Sequence, residues 1–596
     1  MRARLSARAR AAILLGTGAS FVAGVWLARA IRPALLLDPE PSWSLARLVL
    51  SLAAVACAAG AAALVAGAIF CWSGSRAFEH SIEPLPFSRR TLAVLGVAAA
   101  LFGAAVRLLW IERLPWPLWI DDLSLLGPTQ ALSGRWRDFA DPVRAAPYGV
   151  PHPFGTVGVV YLELWRLSLR LWGVTVFGVR FPSLAGGVLS LATAPLLARS
   201  LIPRGGAMTT ALVLAGLRWS VILSRWGWQA VVLAPILDVS TILLLRARRR
   251  GSLAPAVLGG LVAGFGAHVY LAAWIGACAL VLFALWPTEG KPAGPARLRL
   301  GAAFASGFAL LAFPLVLSAR EGSLPYFLRV GDHNVVIEAR RAGNAWPILA
   351  VAADALAVPW LAADPSARQD IPGRARLPWI LAVPLTAVFA RAWLFPRDEL
   401  SAWLLAHAAA AFAAAVSAGQ ATHPNGYRYG YLTSVTAVAV SAGVLWLLGF
   451  TSRAGRRSWA LASIGLLAVG SLTGARDALQ NWADRRETFD AFYGEDTLLG
   501  RAAARWERFG SVAVAPDLGF DPRSYSSITI DVVRRERLDP DARDRERRFG
   551  DPASNERAFR VVAPDRPPLG GERAVERVRD GWGRERAVVY GRRGIG

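Results

Sequence analysis

The chain has 596 residues; 54% are Ala, Val, Ile, Leu, Met, Phe, Trp, Tyr or Cys, only 18% are charged, and the mean hydropathy is +0.39. Apolar runs close to the ~20 residues that a helix needs to cross a hydrocarbon core of ~30 Å recur over roughly the first 475 positions. A soluble globular enzyme, a disordered scaffold and a coiled coil are excluded, and the chain reads as an all-α polytopic membrane protein. The formal charge of +24 at pH 7 does not signal nucleic-acid binding. From Arg476 onward 24 Arg stand against 22 Asp and Glu, so almost all of the excess lies in the short loops of the membrane part. That is the distribution of the positive-inside rule, and it lacks the basic soluble face that a nucleic acid needs.

In chain order, four arginines between Met1 and Arg10 precede an apolar run at 11–31, which reads as an uncleaved first helix with a cytoplasmic N-terminus. Further spans are expected at 45–72, 91–112, 180–201, 206–223, 228–246, 254–272, 273–287, 299–318, 378–395, 398–418, 430–450 and 457–474. This makes about 13 transmembrane helices, so the C-terminus falls on the extracytoplasmic side of a cytoplasmic (inner) membrane. The basic loops at Arg199 and Arg204, Arg246 to Arg250, Lys291 to Arg299, and Arg453 to Arg457 then share the cytoplasmic side. Joining the short runs at 254–287 into one span would invert everything after them.

Three units follow: two N-terminal helices in 1–90, a membrane core in 91–474, and a small extracytoplasmic α/β domain in 475–596. Residues 113–179 form an external loop in which Phe154 to Trp172, with Glu163, Arg166 and Arg170 among Leu and Trp, is expected to lie as a helix in the membrane interface. Residues 319–377 form a second external loop. In the last unit, β-like runs occur at Ser511–Ala515, Ser527–Val533 and Ala587–Tyr590. Cys57, Cys71 and Cys278 lie in apolar stretches with neither metal-ligand nor disulfide-framework spacing.

The candidate chemistry clusters at external loop and span ends. Asp121 and Asp122 follow Leu114-Pro115-Trp116-Pro117 at the outer end of a span, and adjacent carboxylates there are costly unless solvated, paired or used. One of them can serve as a general base; Asp122 can equally cap a helix that starts near Ser124. Tyr148 and His152 sit in a Pro-rich turn before the interfacial helix, and a His there either exchanges protons and binds phosphate or simply faces water. Arg225, in Ser224-Arg225-Trp226-Gly227, either snorkels or turns inward to a lipid phosphate. His268 and Tyr270 lie near the outer end of a later span, where a buried His can simply be satisfied by a neighbour; Arg329 is also external, and Asn425, Tyr427 and Arg428 form either an aromatic belt or an anion site at the mouth of a helix.

Taken in order, Asp121-Asp122, Ala131-Leu132-Ser133-Gly134, Leu171-Trp172-Gly173, Val179-Arg180-Phe181-Pro182-Ser183, Ser224-Arg225-Trp226-Gly227, Gly264 to Tyr270 and Tyr326 to Arg329 resemble a known family. The pattern is similar to the GT-C superfamily of membrane glycosyltransferases, in particular to bacterial relatives of the protein O-mannosyltransferases (glycosyltransferase family 39) and of the lipid A aminoarabinose transferases. Two positions depart from it. The usual Asp-Glu pair is Asp121-Asp122, and His152-Pro153 stands where relatives carry Pro-Pro or Lys-Pro, so a phosphate-contacting Lys of some relatives is absent.

The resemblance implies a GT-C-like core and an inverting transfer of sugar from a polyprenyl phosphate to an extracytoplasmic glycan, lipid or protein acceptor. Asp121 would be the base, and Arg225, His152 and Arg428 would face the departing phosphate. The superfamily admits a divalent metal, for which no ligand cluster in this sequence argues. Two other classes are a transporter or flippase for lipid-linked sugars, which would place ionisable groups near the midplane, and a catalytically silent scaffold of envelope assembly.

Overall fold

A computed structural model describes residues 82–115, 158–289, 294–320, 335–341, 343–357, 367–372, 374–418, 429–449, 451, 454–492, 494–514, 559–580 and 583–592. The spans expected at 11–31 and 45–72 lie outside them. Each of the eleven apolar runs expected beyond residue 90 is helical. In chain order the helices are α1 (Arg89–Leu108), α2 (Val159–Trp172), α3 (Val176–Leu201), α4 (Gly206–Gly216), α5 (Arg218–Arg225), α6 (Leu233–Arg250), α7 (Leu253–Ala267), α8 (Ala273–Leu285), α9 (Gly294–Arg320), α10 (Val335–Arg341), α11 (Trp346–Ala357), α12 (Trp379–Leu394), α13 (Glu399–Ala418), α14 (Leu432–Leu448) and α15 (Arg456–Arg476).

Among the described residues six helices are long and apolar enough to cross a membrane. The run expected as one span at 206–223 is instead the pair α4 and α5, bent by 58° about Leu217, which makes a seventh crossing if counted as one. α7, α8, α12 and α14 are apolar but shorter. Among the described residues the eleven runs expected beyond residue 90 are thus six full-length helices, one bent pair and four short apolar helices, and the count of about 13 is not confirmed.

Hydrogen bonds sort the helix ends onto two sides. On one, Leu85 N–H meets the Arg204 carbonyl at 2.9 Å, Arg456 pairs with Glu83 at 3.3 Å, and Arg249 pairs with Glu399 at 2.7 Å. There too Arg248 donates to the carbonyls of Phe283, Ala284 and Trp286, and Glu289 N–H reaches the Arg397 carbonyl. Arg248 ends α6 and the accepting carbonyls end α8, so α7 leaves this basic side and α8 returns to it. The two short helices are an antiparallel hairpin, and merging them into one span is ruled out.

The opposite side carries α2, whose buried residues Tyr161, Leu162, Trp165, Ser168 and Leu169 pack on α3 while Leu167, Leu171 and Trp172 stay exposed. Glu163 and Arg166 pair at 2.6 Å, so their charges are compensated near an apolar surface. Thr175 caps α3 by accepting from Gly178 N–H. Pro182 lacks the N–H that would close a helical bond to the Gly178 carbonyl, and Ser168 Oγ donates to that carbonyl instead at 2.6 Å. One α2 hydroxyl thus makes a proline tolerable inside α3.

After a π-helical stretch, Asp477–Trp482, come α16 (Arg486–Ala491), α17 (Gly494–Trp506) and the strands β1 (Val512–Val514), β2 (Phe559–Val562), β3 (Glu572–Arg579) and β4 (Glu585–Arg592). The sheet order is β1-β2-β4-β3, with β1 and β2 parallel and the other pairs antiparallel. Leu499, Ala502 and Ala503 of α17 cover Val512, Val514, Phe559, Val561 and Val589. The expected runs at 511–515 and 587–590 are β1 and part of β4; the run at 527–533 lies outside the described residues.

Candidate functional site

The segment that leads to the acid pair is held by two buried arginines, and a third ties its base to the α4–α5 bend. α1 ends at Leu108, and its last carbonyls have no intrahelical partner. Arg225 Nη1 donates to two of them, Val106 at 2.9 Å and Arg107 at 3.0 Å, and its Nη2 donates to Leu114 at 2.9 Å. Arg180, from α3, reaches the Ile111 carbonyl at 2.5 Å and the Pro115 carbonyl at 2.8 Å. Arg107 runs the other way: its Nη1 donates to Ala215 and Gly103, its Nη2 to Leu214 and Ser220 Oγ, and its Nε to Ser224 Oγ. Arg107 and Arg225 are 0% exposed and Arg180 is 1% exposed.

Around this knot other segments on the same side of the helices close. Ser183 Oγ donates to the Trp228 carbonyl at 2.6 Å and shares a hydrogen bond of 2.8 Å with the Tyr161 hydroxyl of α2. The start of α2 is tied to the α7–α8 turn, Gly158 N–H to Val269 O at 3.2 Å and Val160 N–H to His268 O at 2.9 Å. Gly158 is needed there, because a Cβ would fall 1.8 Å from the His268 carbonyl oxygen. Trp226 stacks on Trp228 and meets Phe492 edge-on. The C-terminal unit therefore packs against this side, and burial together with the Arg113 charge pushes the Arg501 guanidinium of α17 down from its ordinary value.

A second polar group joins the break between α4 and α5 to the C-terminal stem. Arg218 Nε lies 2.7 Å from Asp370 and its Nη1 lies 3.4 Å from Asp477, which also takes Arg374 at 2.8 Å. Trp482 Nε1 donates to the Ala367 carbonyl at 2.7 Å. Within the membrane core, Thr193 and Ser434 both donate to Oδ2 of Asp238, at 2.7 and 3.0 Å.

Of the expected site residues, Asp121, Asp122, Tyr148, His152, Arg329, Asn425, Tyr427 and Arg428 lie outside the described residues. Arg225, His268 and Tyr270 are described and all three are buried on the same side. Arg225 neither snorkels nor faces outward: its Nη atoms are taken by backbone carbonyls. His268 Nε2 bonds the Leu311 carbonyl at 2.7 Å, toward α9. Sequence reasoning passed over Arg107, Ser220, Ser224 and Arg218; for the two arginines the available signal was a charge inside an otherwise apolar run, which is costly to bury without acceptors. No group of three His, Cys, Asp or Glu among the described residues is placed to hold a metal ion.

No family model and no curated protein matches this chain. Among solved structures it is similar to ArnT from Cupriavidus metallidurans bound to undecaprenyl phosphate, at 14% identity over 84% of this chain and 98% of that one, with a TM-score of 0.47. The apo form of the same protein gives 14% identity, the same coverage of 84% and 98%, and a TM-score of 0.48. The Archaeoglobus fulgidus oligosaccharyltransferase tethered with an acceptor peptide is similar at 16% identity over 76% of this chain and 64% of that one, with a TM-score of 0.44. Both proteins are members of the GT-C superfamily, which the sequence motifs resemble.

Proposed function

We propose that this chain is an inverting glycosyltransferase that moves a sugar from a polyprenyl phosphate to an acceptor on the extracytoplasmic side of the membrane. The observation that carries the reading is convergence. The chain entering the acid pair, the chain leaving the His152 turn, the Ser224-Arg225 motif and the His268 turn meet in one hydrogen-bonded knot on one side of the helices. In this reading Asp121 takes the proton of the acceptor nucleophile as it attacks the anomeric carbon opposite the phosphate. Negative charge then grows on the leaving lipid phosphate, and preorganised cations stabilise it more in the transition state than in the ground state. His152, Arg428 and Arg329 are assigned to that phosphate, with Asn425, Tyr427, Tyr148 and Tyr270 lining the approach. Arg225 adds its charge from one layer further in.

The second reading, a flippase for lipid-linked sugars, draws support from the bend between α4 and α5 and from Asp238 inside the helical core. One experiment separates the two. Purified protein receives undecaprenyl-phosphate sugars and a hydroxyl or amine acceptor, and release of free undecaprenyl phosphate is followed. Transfer with a loss of at least about tenfold in Asp121→Asn, and less in Asp122→Asn, is expected. Movement of intact donor across vesicles without release supports the flippase, and turnover indifferent to Asp121→Asn removes that residue as base.

A further inference from the structure

Two helix ends meet on this side, that of α1 closed by an arginine of α5 and that of α4 closed by an arginine of α1. The C-terminus of α1 presents the Val106 and Arg107 carbonyls to Arg225, at the end of α5. The C-terminus of α4, opened by the bend at Leu217, presents Leu214 and Ala215 to Arg107, at the end of α1. A helix C-terminus carries partial negative charge on its unpaired carbonyls. That explains how Arg107 and Arg225 are both fully buried with no carboxylate in ion-pair range among the described residues. The four terminal carbonyls of α1 are all satisfied: Ala105 by Leu109 N–H, Val106 and Arg107 by Arg225, and Leu108 by Ile111 N–H. Arg107 uses all five of its N–H groups.

We propose that Arg107 and Arg225 are positioning residues, a reciprocal clamp that locks the 109–115 segment to the α4–α5 bend and so fixes the base of the chain bearing Asp121. This rests on the reading of Asp121 as the base. The bond from Arg225 to Leu114 is the last but one anchor before the acid pair, and Pro115, held by Arg180, is the last described residue before it. The planar fork is essential to the scheme. One guanidinium bridges two carbonyls of a helix end and a third beyond the turn, which a lysine ammonium at the same charge does not reach. Arg225 thereby acts through another residue and does not touch the donor phosphate.

The test uses the full-length protein in the turnover assay above, with Arg225→Lys, Arg107→Lys and the milder Ser220→Ala. A misplaced base costs rate without changing donor binding. Arg225→Lys should therefore lower kcat about 10²-fold, with the KM for undecaprenyl-phosphate sugar within about twofold of wild type, both per titrated active site. Ser220→Ala, which removes one of five donors' partners, should fall between the two. A nitroxide label at Glu112→Cys, with the native cysteines replaced, should be immobile in the parent and freed by Arg225→Lys; this readout needs no turnover. Unchanged label mobility overturns the clamp. So does a rise in KM at constant kcat, which would make Arg225 a donor ligand. If wild type turns over and Asp121→Asn does not, yet Arg225→Lys matches wild type, the clamp falls and the glycosyltransferase stands. A wild type without turnover removes the reading of the activity and the role of the clamp with it.

Discussion

The contact of α3 with α5 predicts a large penalty for the smallest substitution. Gly187 of α3 lies against Ser224, and a Cβ there would stand 2.0 Å from Ser224 Oγ, 2.6 Å from Ser224 Cβ and 3.2 Å from Arg107 Nε. Rotating Ser224 does not relieve the clash, because its Cβ is fixed by the backbone. α3 and α5 must separate, and overpacking of this kind costs ~1–3 kcal/mol. Ser224 Oγ also accepts from Arg107 Nε, and loss of a hydrogen bond to a charged group adds about 1.5–3 kcal/mol. Against this, replacing a helical Gly by Ala contributes up to ~1 kcal/mol in favour. Gly187→Ala should therefore destabilise by roughly 1.5–5 kcal/mol. Gly465→Ala in α15, where a Cβ meets nothing within 4 Å, keeps only the favourable part. The assay is equilibrium unfolding in mixed micelles of rising SDS content, read by tryptophan fluorescence. The double variant Gly187→Ala with Ser224→Gly removes the clash and should be less destabilised than Gly187→Ala and Ser224→Gly added together. If Gly187→Ala unfolds with Gly465→Ala, the close packing beneath the arginine clamp is wrong.

In the C-terminal sheet, burial raises the Glu572 pKa, but the Arg560 hydrogen bonds, the Leu569 amide and the charges of Arg560 and Arg592 outweigh it and leave the carboxyl below its ordinary value. A depressed folded pKa stabilises the sheet above the unfolded value near 4.5 and loses that contribution as pH falls through the folded pKa. Amide exchange along β4 should accordingly be faster in Glu572→Gln than in wild type at neutral pH, with the difference vanishing in acid; a pH-independent difference would contradict it. The α7–α8 hairpin predicts that single cysteines at Gly251 and Gly173, introduced after removal of the native ones, react with an impermeant maleimide from opposite sides of sealed vesicles. Labelling from the same side would overturn the assignment of ends.

The spans were legible because length and apolarity decide what a helix does in lipid. From residue 91 each apolar run became a helix, and the amphipathic run ending at Trp172 became α2. The sharing of one side by Arg199 to Arg204 and Arg246 to Arg250 was legible from the clustering of positive charge in short loops, and hydrogen bonds place their neighbours on one side. The bend at Leu217 was not, since α4 and α5 are one apolar run in composition and the cause of the break lies elsewhere. Arg107 of α1 and Ser471 of α15, whose hydroxyl donates to the Leu212 carbonyl, provide the donors that the carbonyls of an unbroken helix would not need. β3 escaped because Glu572–Arg579 alternates charge with few apolar residues, and it is held at the sheet edge by β4 and by Arg577–Glu585 pairing.

The arginines show why identity alone misassigns a cation. At the end of an apolar run an Arg can snorkel to water, bind a lipid phosphate or close another helix's carbonyls, and all three look the same in sequence. Geometry separates them by counting donors. Arg107 has every N–H occupied, Arg225 has both Nη atoms on carbonyls, and Arg248 at the basic side caps α8 in the same way. Arg107 has no donor left for phosphate oxygens, and Arg225, with both Nη atoms turned to carbonyls, is fully buried away from the surface. Within the proposed function, direct contact with the leaving phosphate therefore passes from Arg225 to His152, Arg329 and Arg428. In the proposed scheme the buried arginines instead fix the described segment that leads to the acids. Loss of a phosphate ligand should raise the donor KM, whereas loss of that fixation should lower kcat.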